Sequence, residues 1–500
     1  MTFTSLPFIL YITTVFVMFC IAPLRLRWLV LLLASYYFYS TLKTPYLLLA
    51  LAMVTCVSYF SGKLIYKSES EVSRKLWLVS GIVINLSILI WLRYLPFICE
   101  NVNLILDGLN IGQRFPAIRG LIAVGVSYYV FQGISYIIDV YLEVLVPEPH
   151  PGHFALSMGF FPKLLQGPIE RGGNLLPQLR ILKIASWDDM KLGLHMFIWG
   201  MFKKVVIADR LASFVDPIYG NVTQHFGLSL IAATYLFALQ LYFDFSGYTD
   251  MALGIARCFN IRLTQNFNAP YFSTSVAEFW RRWHISFSSW ILDYIFKPLQ
   301  FQFRDWKTWG TALALMITFL ASGLWHGASW SFVVWGGIHG CYLGGAVLFR
   351  QGKKKFCKRL GLERSRLFKI WQVLCTFNLV CFSWVFFRAK SLDDAFFIAW
   401  NSVAGMHRSL SLLGEGRDVF LHHLFGAKST LEVAGVGALL LFSMFVGVFE
   451  RRIRKDGLEV HETSWLNHLP FWSKGFVYGF LCYLMAFCGA STQSFIYLQF

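Results

Sequence analysis

Residues 308–349 read TWGTALALMITFLASGLWHGASWSFVVWGGIHGCYLGGAVLF and contain no Asp, Glu, Lys or Arg. An α-helix needs about 20 apolar residues to cross the hydrocarbon layer of a membrane, so this run is long enough for two crossings. His326 lies close to the middle of the run, directly after Trp325. The stretch therefore predicts a membrane hairpin that carries a histidine near its turn.

The whole chain has the same apolar character. Its 500 residues are 56% hydrophobic, 18% aromatic and only 14% charged. Apolar stretches recur along its length and predict an all-α polytopic membrane protein with roughly 10–12 membrane segments and no large soluble domain. The ten cysteines form no CxxC pair, so we expect neither disulfides nor a metal site.

Positive charge is concentrated in short loops, which argues against a nucleic-acid partner despite the net charge of +17. The basic stretches lie at 63–75, 350–366 and 451–455, whereas 98–113 contains no Lys or Arg. The positive-inside rule places the basic loops in the cytoplasm, and counting spans outward then puts both termini on the extracytoplasmic face. We expect the basic loops to contact anionic membrane lipid. Docking of an acidic acyl donor is the alternative.

The chain reads as a single integral-membrane domain, 1–500, in three parts. Residues 1–97 predict apolar scaffold helices, 119–349 a catalytic core, and 368–500 a C-terminal group of helices. Segments of the core are short and interrupted by Gly, Pro and charge, which is tolerated at membrane depth only inside protein or along a wet cavity. Within the core, 266–299 resembles an amphipathic helix that lies at the membrane interface.

An ionisable side chain inside a membrane span is costly and is a functional candidate by default. Four such residues stand out, namely Asp244, Asp250, His284 and His326. Each also has a structural interpretation, because a histidine among tryptophans can be a packing residue. The aspartates could form buried ion pairs with Arg210 or Arg257.

His339 is a weaker candidate than His326. Thirteen residues at about 100° each turn it away from the His326 face if the helix is continuous, which favours a packing role. Four glycines of the same run would allow close approach of helices: Gly323, Gly327, Gly336 and Gly337.

The catalytic signatures that the chain lacks leave imidazole as the most competent acid/base group. There is no GxSxG elbow, Walker loop, HExxH motif or Cys-His pair at ligand spacing. An imidazole with a pKa near 6.5 can deprotonate a hydroxyl so that it attacks an activated acyl group. A proton-coupled transporter would use the same histidines as a relay, although such folds often carry inverted repeats that we do not find. A non-enzymatic scaffold for glycan export is a third hypothesis.

Two blocks carry a family resemblance. FWRRWHIS at 279–286, followed by SGLWHG at 322–327, strongly resembles the membrane-bound O-acyltransferase (MBOAT) family. Within that family the closest likeness is to the bacterial alginate O-acetylation branch, with the D-alanyl-lipoteichoic acid transferase as a more distant relative. Further blocks in the family's order are FFPKLLQGPIERGGNLLPQL, KKVVIADRLA, FALQLYFDFSGYTDMALG, NFNAPY, FSWVFFRAKSLDDA and FIYLQF.

The resemblance implies both a fold and a site. The fold would be a ring of membrane helices, with re-entrant and interfacial helices, around a central funnel that meets the catalytic histidine. His326 matches the family's near-invariant histidine and His284 a second one that this branch has. We expect five supporting residues around them: Asp244, Asp250, Arg281, Arg282 and Trp325.

The implied activity is transfer of an acyl group, most simply acetyl, from a cytoplasmic donor across the bacterial cytoplasmic membrane to an exported polysaccharide. The donor would be acetyl-CoA or an acyl carrier protein, with no bound cofactor. An extracytoplasmic partner acyltransferase and polysaccharide export machinery are the implied partners. Peptidoglycan, a D-alanylated teichoic-acid-like polymer and a partner's serine are alternative acceptors.

One segment departs from the branch's pattern. DYLYIPLGGN typically follows the FWRRWH block, whereas DYIFKPLQFQFRDW stands at 293–306 of this chain. The loss of Gly-Gly-Asn leaves the general chemistry unaffected. It leaves open the acceptor, or the partner that docks on this loop.

Overall fold

The protein is described by a computed structural model, which covers residues 1–116, 120–121, 123–362, 365–426, 428–453, 470–487 and 495–496. Within these ranges the secondary structure is helical and includes no β-strand. The predicted all-α polytopic fold class is therefore confirmed. The basic residues Arg454 and Lys455, and most of the terminal block FIYLQF, lie outside the described residues.

Six helical segments of the described chain are long and apolar enough to cross a membrane. A bent pair of helices, Arg417–Phe425 and Thr430–Phe442, raises the number to seven if it forms one span. Shorter apolar helices such as Leu6–Ile21 come in addition, so the predicted total of 10–12 stays a prediction. The six are Pro45–Lys67, Glu71–Gly108, Leu228–Cys258, Arg304–His326, Trp330–Leu348 and Arg366–Arg388.

The chain divides into two compact units. The first comprises Met1–Phe197 and Tyr248–Gln265, and the second Ile198–Gly247 and Asn266–Phe500. Two helices contribute residues to both units, Trp187–Phe202 and Leu228–Cys258. The division into scaffold, core and C-terminal parts stays a prediction.

The first unit is built around a helix that is buried almost throughout. All residues of Val126–Tyr141 from Val126 to Ile137 are buried, as expected for a helix surrounded by others. Proline at the first helical position starts Pro45–Lys67 and Pro151–Gly159, where its missing N–H costs nothing. The other helical segments of this unit are Leu6–Ile21, Leu24–Leu26, Arg27–Ser40, Glu71–Leu89, Ile90–Tyr94, Leu95–Gly108, Phe161–Leu164 and Gly172–Arg180.

The second unit holds the predicted hairpin. Its helices are Lys307–His326 and Trp330–Leu348, and Ser329 Oγ caps the second helix by accepting from the Ser331 N–H at 3.3 Å. The other helical segments are Lys203–Ala208, Asp209–Gly220, Val222–Gln224, Pro270–Phe272, Val276–Trp280, Ile285–Ile291, Leu292–Phe296, Lys297–Gln302, Arg304–Trp306, Arg350–Arg359, Arg366–Arg388, Leu392–Ala404, Met406–Glu415, Arg417–Phe425, Thr430–Ile453 and Phe471–Phe487.

Glycines let the two hairpin helices touch. A Cβ added at Gly336 would lie 3.2 Å from the Gly323 Cα and against the Phe319 carbonyl oxygen, so neither position has room for a side chain. A Cβ at Gly327 would collide with the ring of Phe332. Gly337 differs, because its Cβ would make only an ordinary contact of 3.7 Å with a leucine methyl. The predicted packing role is confirmed for three of the four glycines.

The predicted interfacial helix at 266–299 is wrong in its first half. The chain forms only the short helical segments Pro270–Phe272 and Val276–Trp280 before it turns at His284, and the next helix starts at Ile285. Phe279, Trp280 and Trp283 are buried in the core of the unit. The alternation of arginines with tryptophans, which suggested an amphipathic surface helix, instead marks a turn with its aromatic rings inside.

Candidate active site

His326 is the last residue of the first hairpin helix and is 4% exposed. Gly327 follows it in extended backbone, with φ −176°, so the helix ends immediately after the imidazole. Aromatic rings surround the imidazole and keep bulk water away from it. The ring centroids lie 4.8 Å away for Trp325 and Trp335, 5.3 Å for Phe387 and 5.5 Å for Phe287.

His284 occupies a strained turn. Its φ of 45° and ψ of 54° are left-handed, a conformation that is uncommon outside glycine and costs of order 1–3 kcal/mol. Asn266 holds the turn in place. Its backbone oxygen accepts from the Ile285 N–H at 2.9 Å, and its side-chain Oδ1 accepts from the Ser286 N–H at 3.1 Å and Oγ–H at 2.6 Å.

The side-chain Oδ1 of Asn266 also sets the tautomer of His284. It lies 3.4 Å from the imidazole Nδ1, and because a carbonyl oxygen only accepts, this contact requires the proton to be on Nδ1. The neutral ring then carries its basic lone pair on Nε2. Burial lowers the pKa of His284 to about 3, so the ring is neutral at physiological pH.

Two aromatic side chains join the two imidazoles. The ring of Phe287 lies 5.1 Å from His284 and 5.5 Å from His326, and that of Trp325 lies 5.9 Å and 4.8 Å from them. The fold therefore brings His284, Trp325 and His326 together, and their catalytic and supporting roles stay a prediction. We refer to one set of residues as the histidine cluster: His284, Phe287, Trp325, His326, Trp335 and Phe387.

His339 lies beside this cluster in a different setting. The helix is broken between His326 and Trp330, so the periodicity that separated the two histidines does not apply. The His339 ring is 4.9 Å from that of Trp335. Its Nδ1 accepts from Trp280 Nε1 at 3.2 Å and its Nε2 is 2.9 Å from the Ser383 hydroxyl. These bonds use both ring nitrogens, in agreement with the predicted packing role.

The two arginines of the FWRRWH block have unequal surroundings. Arg281 is exposed. Arg282 forms an ion pair with Glu278 at 2.5 Å, and its backbone oxygen accepts from the Asn268 N–H at 2.9 Å. These contacts fix the turn that precedes His284. We therefore expect Arg282 to support the position of His284 from a distance.

Asp244 belongs to a second buried centre. Lys204 Nζ lies 2.7 Å from Asp244 Oδ1 and 2.7 Å from Asp209 Oδ1, and the three side chains are at most 2% exposed. The Ile496 N–H donates to Asp244 Oδ2 at 2.9 Å, and Lys204 Nζ sits 4.5 Å above the ring of Phe495. We call Lys204, Asp209 and Asp244 the ion cluster. The predicted pairing of Asp244 with Arg210 or Arg257 is wrong.

The remaining predicted residue, Asp250, lies in the first unit and is half-buried. Of the two suggested partners for it, Arg210 and Arg257, the second also forms an ion pair with Asp189 at 2.7 Å. The supporting role of Asp250 stays a prediction.

Several buried polar residues escaped the sequence argument. Asn266 holds the turn at His284, and Lys204 pairs with both aspartates of the ion cluster. Neither stands out in its sequence stretch, which is NFNAPY for Asn266 and KKVVIADR for Lys204. In the first unit, Lys163 Nζ donates to Gln132, and Glu170 accepts from Asn174 at 2.7 Å. The signal that could have identified Lys163 is its position as a lysine inside an apolar segment interrupted by prolines. Within the described residues no group of three His, Cys, Asp or Glu side chains is arranged to hold a metal ion.

The chain is similar to known O-acyltransferases over most of its length. A peptidoglycan O-acetyltransferase of Helicobacter pylori is 32% identical over 423 residues, which cover 79% of this chain and 77% of that protein. A protein of Azotobacter vinelandii named "Probable alginate O-acetylase AlgI" is 35% identical over 409 residues, covering 81% and 78%. A teichoic acid D-alanyltransferase of Bacillus subtilis is 28% identical over 274 residues, covering 53% and 68%.

The family model for the membrane-bound O-acyltransferases matches residues 31–387, which include the whole histidine cluster and the Asp244 position. The resemblance seen in the FWRRWHIS and SGLWHG blocks is thereby confirmed. The chain belongs to the membrane-bound O-acyltransferase family.

Proposed function

We propose that this membrane O-acyltransferase moves an acetyl group from a cytoplasmic thioester donor to a hydroxyl of an exported polysaccharide. The family makes the protein an O-acyltransferase. Relatives named for O-acetylation of peptidoglycan and alginate, both polymers outside the cytoplasmic membrane, support acetyl as the group and a polysaccharide as the acceptor. Acetyl-CoA and an acyl carrier protein both supply the required thioester.

His326 acts as the general base in this proposal. An imidazole nitrogen removes the proton of the acceptor hydroxyl while its oxygen attacks the thioester carbonyl carbon. The tetrahedral intermediate collapses, the carbon–sulfur bond breaks, and the thiolate takes the proton back from the imidazolium. The aromatic rings around His326 exclude water, which would otherwise compete as an acceptor.

His284 assists without exchanging the acceptor proton. With Nδ1 held by Asn266, its neutral ring stays in one orientation against Phe287 and Trp325. The ring positions the donor or stabilises the charge that develops beside His326. Its strained backbone supports a functional role, since such conformations persist where the surroundings enforce them.

The observation that carries the proposal is the pair of imidazoles brought into one water-poor cluster. The test is His326→Asn in cells that export the polysaccharide, with acetate released from the polymer by mild base as the readout. We expect polymer with acetate at background level and normal amounts of membrane-inserted protein. His407→Asn is the matched control, because His407 is exposed on the same unit. Wild-type acetylation by the His326 variant would overturn the mechanism.

The acetyl group can pass to the glycan directly or through a partner, and the proposal includes the relay through a partner. A second acyltransferase outside the membrane would receive the acetyl group and pass it to the glycan. Deleting a neighbouring gene for a secreted acyltransferase should then abolish polymer acetylation and, because the acetyl group has no acceptor, stop donor consumption, while the membrane protein stays at its normal level. We further propose the bacterial cytoplasmic membrane as its location, with both termini outside.

D-alanyl transfer is the second candidate, supported by the Bacillus subtilis relative. It predicts alanine rather than acetate in the base-released material. The transporter and scaffold hypotheses lose their basis, because membership of the family accounts for the histidines as parts of an acyltransferase.

A further inference from the structure

A basic cavity opens at one end of the membrane hairpin. Its volume is about 1370 Å3 and it lies at the start of Lys307–His326 and the end of Trp330–Leu348. Four cationic side chains line it: Lys297, Arg304, Lys307 and Arg350. We call this space the basic cavity. It belongs to the second unit and shares no residue with the histidine cluster.

The cavity's position along the hairpin corresponds to the membrane surface. The two helices have 20 and 19 residues, so each spans about 30 Å of hydrocarbon. The turn at 327–329 forms one end of the hairpin. The basic cavity lies at the other end, where the charge-free run stops in both helices. Cations at this level face lipid headgroups.

Aromatic side chains complete the lining. Trp306 is 60% exposed and Trp309 70% exposed, although both are large and apolar. Tryptophans prefer the headgroup level, where the ring contacts acyl chains and the indole N–H contacts polar groups. The lining thus combines cationic groups with apolar rings. An occupant that matches both parts is amphiphilic.

The charges of the cavity are only partly compensated by the protein. Lys297 pairs with Asp293 at 2.7 Å, and Arg304 lies 3.9 Å from Asp305. Within the described residues the structure gives no ion pair for Lys307 or Arg350. None of the lining side chains is a carboxylate. An anionic occupant would complete this balance.

We propose that the basic cavity binds the phosphate headgroup of an anionic phospholipid. Phosphate complements the guanidinium and ammonium groups, and the acyl chains lie along Trp306, Trp309 and the apolar hairpin. The cavity uses Lys297 and Arg304 of the segment 293–306, which is where the sequence departs from the branch's pattern. The site is therefore a property of this chain and does not depend on the proposed acetyl transfer.

The test is native mass spectrometry of the full chain, purified in detergent and offered phosphatidylglycerol or phosphatidylcholine. We expect wild type to retain phosphatidylglycerol preferentially. The variant Arg304→Gln/Arg350→Gln should bind it about 30-fold more weakly, since each cation near a lipid phosphate is worth roughly fivefold or more. Arg350→Gln alone should lose about fivefold and provides the test should the double variant fail to fold.

Lys354→Gln/Lys355→Gln is the matched control, because it removes the same charge from exposed positions of the adjacent helix outside the lining. It should leave retention unchanged. Equal loss in the control, or full retention by Arg304→Gln/Arg350→Gln, would overturn the site. A second arm adds millimolar inorganic phosphate at constant ionic strength. Displacement of the lipid by phosphate would assign the cavity to a soluble phosphate compound and overturn the lipid as occupant.

Discussion

Two buried polar centres of the second unit are contacted by consecutive residues of one helix and use opposite chemistry. Asp244 belongs to the ion cluster with Lys204, whereas the ring of Phe245 packs 4.8 Å from that of His284 in the histidine cluster. The ion cluster keeps its charges by pairing them at 2.7 Å. The histidine cluster surrounds its imidazoles with aromatic rings.

The difference separates a centre that stabilises the fold from a centre that is suited to proton transfer. Ion pairs as short as 2.7 Å have their charges committed to each other, so their removal changes stability. A neutral imidazole can accept and release a proton without carrying a permanent charge in an apolar site. By the rule that a buried ionisable group in a membrane marks function, the histidines stay the functional candidates, while the burial of Asp244 is explained by its partners.

The largest effect is expected for His326→Ala. Loss of a general base should lower the rate of acyl transfer about 10²- to 10⁴-fold. The aromatic rings that pack around the site remain in the variant and should keep the protein folded. The rate is measured by transfer of labelled acetyl in proteoliposomes, and folding by thermal unfolding in detergent. Ala at His339 should instead lower stability, through loss of its bonds to Trp280 and Ser383. If the two variants behaved alike, the distinction between the histidines would fail.

Lys204→Met should destabilise the fold by about 3–5 kcal/mol, because it leaves Asp209 and Asp244 as buried charges without their cation. The readout is thermal unfolding in detergent together with the amount of protein in the membrane. Lys203→Met is the matched control, since Lys203 is only half-buried and lies over the ring of Trp199. Unchanged stability of Lys204→Met would show that the ion cluster is not structural.

Gly336→Ala should cost about 1–3 kcal/mol, since the added methyl group meets the Phe319 carbonyl oxygen and forces apart the hairpin that carries His326. Gly337→Ala lies one residue away and has room for the methyl, so it should be neutral or slightly stabilising in a helix. Thermal unfolding of both variants measures the difference. Equal melting temperatures would contradict the close approach of the two helices.

The smallest effect is a pH dependence of stability from His284. Burial lowers its pKa to about 3, against an ordinary value near 6.5, so between these pH values the unfolded chain binds more protons than the folded one. Stability should therefore fall as the pH drops below 6.5, by up to about 1.4 kcal/mol per pH unit from this group. Unfolding of wild type and His284→Asn between pH 5 and 7 should differ in slope. Parallel curves would show that His284 is not buried as a neutral ring.

The sequence predicts what is local and leaves out what is distant. The charge-free run 308–349 was sufficient to predict the hairpin, and the SGLWHG block was sufficient to choose His326 as the candidate catalytic histidine. The partner of Asp244 could not be predicted, because Lys204 and Ile496 lie 40 and 252 residues away. The helix through FWRRWH was wrong because a left-handed turn at a histidine has no signal in periodicity.

The hydrogen bond from Ile496 to Asp244 has a consequence for biosynthesis. Lys204, Asp209 and Asp244 are made at least 252 residues before the backbone N–H that completes their environment. During that interval the chain must hold an incomplete charged centre in an apolar medium, and closing so long a loop is slow. We expect synthesis of the segment that contains Ile496, rather than insertion of the earlier helices, to be the step that commits this enzyme to its native state.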